Sequence, residues 1–275
     1  MSLKYFPDGL TQKERFEYAV KNEAYIISAK KMERKLADSA AYGTFFVDEK
    51  GKLVDKAEAI QQSITTDPNK LKLSVVINTT NWLDSHWDVH LPGIWKKCIA
   101  DNKKGFLLLQ EHNAKFKGVI ATGMQAKTVK MPFKDLGFDY EGNTEALVFT
   151  GIIDKDRNEY MFNQYLKKYV EEHSVGMRYI KMVTCINDEE YPVQLENWNK
   201  YFPMVTNQDD ALKCGMFWAV LEAEIKEGSA VLFGSNCVTP TLDIEEITDG
   251  EPDKATQNQP KEKTFMELIK ETKFI

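Results

Sequence analysis

Residues 71–80, LKLSVVINTT, decide the fold class. The run is rich in β-branched and aliphatic side chains, as a strand packed into a sheet requires. Three more runs of this character follow: GFLLLQEH (105–112), KGVIATGMQAKTVKM (117–131) and EALVFTGIID (145–154). Gly, Asp, Asn and Pro separate them. Residues 157–172 then change period, with Met161, Phe162, Tyr165, Leu166, Tyr169 and Val170 recurring at helical spacing. SVGMRYIKMVTCI (174–186) returns to strand character. Residues 187–207 read as an insertion carrying Trp198, Tyr201 and Phe202. Asp209 or Asp210 is positioned to cap a second helix running to about Ala223, before a last strand, GSAVLF (228–233). The expected fold is therefore α+β and mainly β, with helices against the sheet.

Outward from this unit the composition shifts. Residues 11–41, rich in Lys, Glu and Ala, predict one or two amphipathic helices, and SITTDPN (63–69) reads as a linker. Beyond Asp243 the chain turns acidic and polar before a short amphipathic segment, FMELIKETKFI. Three regions are expected: a helical extension and linker over 1–70, a core over 71–243, and a polar tail with a terminal helix over 244–275.

The 275 residues suffice for a full core, and a net charge of −6 argues against general nucleic-acid binding. No apolar run approaches a membrane span, and MSLKYFPDGL lacks the pattern of a signal peptide, so a cytoplasmic protein is expected. Cys98, Cys185, Cys214 and Cys237 are widely spaced and form no CxxC pair, which points to reduced thiols.

The chain has four histidines, His86, His90, His112 and His173. His112 closes the strand LLLQEH, where a scaffold can hold a general base rigidly; a surface histidine at a strand exit is the plainer alternative. Ser174 lies at a helix-to-strand junction, where serine is usually a cap or turn residue. Gly176, two residues on, permits the close backbone approach an oxyanion site needs. Adjacent His173 points to the opposite face of a strand from Ser174, so a base must come from elsewhere, which favours His112. Ser174, Gly176 and Arg178 share one face. A carboxylate should orient the imidazole; spacing does not choose among the acidic residues, although Glu227 sits at the entry of a hydrophobic strand. A rival lies in DSHWDVH (84–90): Asp84, His86, Asp88 and His90 alternate and, on a strand, would present four metal-ligating groups on one face.

Four ordered segments together resemble the prohead (capsid-maturation) proteases of tailed phages. They are DSHWDVHLPGIWKKCI, LLLQEHNAKFKGVI, HSVGMRYIK and EGSAVLFGSN. The resemblance covers residues 71–243. It implies a barrel-like sheet flanked by helices, as in herpesvirus assembly proteases. It gives Ser174 the place of the nucleophile, His112 that of the catalytic histidine and Glu227 that of the third member. It implies a serine endopeptidase without metal or organic cofactor. The implied substrates are scaffolding protein, the major capsid protein and the enzyme's own terminus. The implied setting is a homo-oligomer inside the assembling procapsid, in the host cytoplasm. Two other readings stand beside it. One is an inactive assembly protein of the same fold, suggested by departures such as Asn113, His173 and Gly234-Ser235. The other is a metal-dependent hydrolase using residues 84–90.

Overall fold

The computed structural model describes residues 5–33, 67–136 and 138–232, together with the backbone of strands at 46–47, 53–54 and 241–246. It is an α+β fold dominated by one mixed sheet. The strands are β1 (Phe46–Val47), β2 (Leu53–Val54), β3 (Lys70–Thr79), β4 (Asp88–His90), β5 (Phe106–Gln110) and β6 (Val119–Pro132). They continue with β7 (Asn143–Asp154), β8 (Glu172–Ile186), β9 (Met216–Val231) and β10 (Thr241–Glu246). β1 and β2 form a separate antiparallel pair. The other eight make one sheet in the order β10-β3-β7-β6-β5-β9-β4, with β8 paired along β9. Among the described residues no ladder joins the ends of this order, so the sheet is open.

β9 organises the site. Ser229 pairs with Ser174 of β8 on one edge and with Leu109 of β5 on the other. Trp218 likewise pairs with Thr184 of β8 and, on the opposite edge, with Asp88 of β4. One long strand thus carries β8 along its whole length and shares its second edge between β5 and β4. Gly228 faces inward at the crossing: a Cβ there would lie 2.8 Å from Ile77 Cδ1 and 2.9 Å from Phe149 Cε2. The main core includes Ile77, Leu108, Phe149, Val175 and Trp218.

The helices are α1 (Gln12–Lys21), α2 (Glu23–Met32), α3 (Lys96–Asp101), α4 (Glu159–Leu166), α5 (Pro192–Tyr201) and α6 (Gln208–Cys214). Thr11 and Glu14 form a reciprocal capping box that starts α1. Phe16, Ala19 and Ile26 join the main core, so α1 and α2 are packed parts of the unit. At the other end β10 carries the sheet to Glu246, three residues past the expected limit, and the anticipated terminal helix lies outside the described residues.

Two helix expectations need correction. α4 stops at Leu166, and β8 starts at Glu172. The helix expected to reach Ala223 ends at Cys214, because Gly215 takes a left-handed backbone (φ 69°) and closes it. Residues 216–223 then pair with β8 as strand. The 187–207 insertion folds as α5 and a 3₁₀ turn, with Trp198 stacked on Phe202 (4.7 Å) and packed on Phe217 (5.1 Å). No helix among the described residues is long and apolar enough to cross a membrane.

Candidate active site

β5 ends at Gln110, and Glu111 and His112 both adopt left-handed backbone, φ 48° and 55°. Non-glycine residues enter that region at a cost of about 1–3 kcal/mol each, so the surroundings must hold them there. Three hydrogen bonds do so. Glu111 N donates to Ala230 O (2.8 Å), His112 N to Ser229 Oγ (3.1 Å) and Asn113 N to Gln110 O (2.8 Å). Gly118 lets the loop close: a Cβ there would lie 2.2 Å from Asn113 O.

This turn aims the imidazole at Glu227. His112 Nδ1 lies 2.7 Å from Glu227 Oε1, and Ser229 Oγ donates to Glu227 Oε2 at 2.5 Å. An ionised carboxylate only accepts, so Nδ1 is the donor in this bond and Nε2 is the ring's other nitrogen, open to a second partner. Nε2 is buried and has no hydrogen-bond partner among the described residues.

Ser174 stands across the ladder from Ser229, and Gly176 from Glu227. Directly opposed antiparallel residues put their Cβ atoms roughly 4.5–5.5 Å apart on one face. Ser174 is 3% exposed, and its Oγ is also buried without a partner among the described residues. The hydroxyl and Nε2 do not hydrogen-bond to each other in this structure. The three residues singled out in the sequence thus meet on the face of β8 and β9 that turns away from Gly228 and the main core.

His173 is separate from this patch. It is fully buried, its Nε2 lies 2.8 Å from Tyr165 Oη, and the two rings stack at 5.9 Å. Burial holds its pKa down at about 3, which keeps it neutral. Exposed Arg178 forms an ion pair with Glu224 at 3.0 Å.

The 84–90 run is used differently from the four-on-a-face strand. Only Asp88–His90 is strand; Asp84 closes the preceding turn by accepting from His86 N (2.8 Å) and Asp88 N (2.9 Å). Asp88 Oδ1 binds Lys30 Nζ at 2.6 Å, and its Oδ2 accepts from Tyr179 Oη at 2.9 Å. His90 Nε2 meets Tyr179 Oη (2.9 Å) and Nδ1 meets Asn78 Oδ1 (3.0 Å). An ion here would have to displace an ammonium and break those bonds. Among the described residues no group of three or more His, Cys, Asp or Glu is arranged to hold a metal. Cys98, Cys185 and Cys214 are free thiols.

Sequence reading missed Ser229. Its signal was modest: a hydroxyl two residues beyond Glu227 on one strand shares that residue's face. No protein-family model, no curated protein and no solved structure matches this chain.

Proposed function

We propose that the chain is a serine endopeptidase of the phage prohead type, with Ser174 as nucleophile, His112 as general base and Glu227 as the group that orients it. One observation carries the reading. A buried serine hydroxyl and a buried imidazole nitrogen, both without partners among the described residues, lie beside a His112–Glu227 hydrogen bond. Unsatisfied buried polar atoms cost about 1–3 kcal/mol each, and a reacting pair is one reason to keep them.

In the proposed reaction Ser174 Oγ attacks the scissile carbonyl carbon while its proton passes to His112 Nε2. The tetrahedral adduct expels the amine, which takes that proton. Water then repeats the sequence on the acyl-enzyme. Glu227 stabilises the transient imidazolium through Nδ1–H. The ladder register shifts between Gly176 and Met177, next to the nucleophile, and backbone N–H groups there are the candidates for holding the oxyanion.

On this reading the open sheet corresponds to the barrel-like core of the herpesvirus assembly proteases. The substrates would be scaffolding protein, major capsid protein and the chain's own terminus, met by a homo-oligomer within the procapsid. A non-enzymatic assembly protein is the second reading, favoured by the unmade Ser174–His112 bond. Co-expression with a candidate scaffold, followed by intact-mass spectrometry, separates them. Wild type should trim the scaffold and Ser174→Ala should leave it whole. Trimming that survives the substitution, or none by wild type, ends the peptidase proposal.

A further inference from the structure

Beside the carboxylate end of the site is an open cleft of about 380 Å³. Leu107, Leu109, Ala114, Met177 and Met32 supply its apolar wall. Leu109 pairs with Ser229, so it and Leu107 alternate onto the face that carries Ser174. Leu109 is buried yet stands outside the main core, while Leu107 (39% exposed) and Met32 (82% exposed) leave apolar surface uncovered. Ala114 belongs to the turn that carries His112, and Glu227 both bonds His112 and forms one side of the cleft. The cleft therefore adjoins the proposed catalytic group through Glu227, while Ser174 and His112 lie outside its lining.

Its charged side chains already have partners within the chain. Arg178 and Lys226 both pair with Glu224. Glu33 accepts from Tyr5, and Glu227 is held by His112 and Ser229. A charged side chain entering here would lose water and find these partners occupied, whereas an aliphatic one would cover leucine and methionine.

We infer that this cleft is the substrate-selecting subsite, and that it takes an uncharged aliphatic side chain, of leucine or methionine size, from an extended peptide. The inference rests on the peptidase reading for its purpose, but binding tests it without turnover. Fluorescent Ala/Ser-based peptides carrying a single Leu, Met, Asp or Lys would be titrated into Ser174→Ala by anisotropy. Leu and Met peptides should bind at least about tenfold more tightly than their Asp and Lys counterparts, the scale expected from burying one aliphatic side chain. Leu107→Glu, at a partly exposed position, should erase that preference, and Leu107→Met should keep it. Equal binding of all four peptides, or a preference untouched by Leu107→Glu, overturns the subsite. In a parallel arm wild type is offered the preferred peptide. Selective binding without cleavage removes the peptidase reading and leaves the aliphatic site standing.

Discussion

At the scale of single residues, Glu227 has both carboxylate oxygens engaged, one by the His112 ring and the other by the Ser229 hydroxyl. Ser229 also accepts the backbone N–H of His112, so one hydroxyl fixes the Glu227 carboxylate and the His112 main chain in the same frame. Glu227→Gln keeps the shape but removes the charge that would stabilise an imidazolium. On the peptidase reading it should lower kcat by about 10³- to 10⁴-fold with little change in thermal stability, as read from initial rates and a melting curve. Ser229→Ala should act more mildly, through geometry: roughly tenfold to a hundredfold in kcat with KM unchanged, plus about 1–3 kcal/mol of stability from the donor lost by a buried carboxylate. A Glu227→Gln variant as active as wild type would remove that residue from the proposed chemistry. The site was legible in the sequence only unevenly. His112 could be argued from a strand exit and from the turned-away His173. Ser174 and Glu227 came from segment resemblance, since no local pattern says which of many serines and acids will meet across a ladder.

At the scale of elements, the strand runs at 71–80, 105–112, 117–131, 145–154 and 174–186 all correspond to strands, with ends displaced by a few residues. β-Branched side chains in runs bounded by turn residues are a local property, so they can be read locally. MFWAVLEAEIK was not legible as strand. Its Leu, Ala and Glu residues favour helix by intrinsic propensity, and tertiary packing prevails. β9 lies between β8 and the β5/β4 pair, Met216–Val220 are buried throughout, and Gly215 ends the helix before them. The same strand sets a packing prediction. Gly228→Ala would push a methyl against Ile77 and Phe149 on the core side while leaving Glu227 and Ser229 on the other face. It should destabilise the fold by about 1–3 kcal/mol, measured as a lowered urea midpoint with an unchanged m-value. Neutral stability would mean that the core side of β9 has slack its buried contacts do not suggest.

At the scale of the whole molecule, the N-terminal helices are fastened to the sheet by a buried charge. Lys30, 1% exposed, reaches from α2 to Asp88 Oδ1 on β4 at 2.6 Å and lies 4.1 Å from the ring centroid of Trp218 on β9. Asp88 continues through Tyr179 to His90 and Asn78, so α2, β4, β8 and β3 share one polar chain inside an apolar core. Fifty-eight residues separate Lys30 from Asp88, and nothing local marks this lysine among the 36 Lys and Arg residues, which is why 1–70 read as an extension. Removing one partner of a buried pair leaves the other charged and unmatched, which costs more than the pair itself contributes. Lys30→Ala should therefore destabilise by about 3–5 kcal/mol in urea unfolding. Lys30→Met combined with Asp88→Asn should recover much of that loss, because no buried charge remains and the methionine refills the space against Trp218. Met32, two residues on, forms part of the cleft beside Glu227, so loosened docking of α2 should also weaken discrimination among aliphatic peptides before it affects Ser174. A Lys30→Ala protein with full stability and unaltered peptide preference would mean that α2 rests on the sheet without being held by this pair.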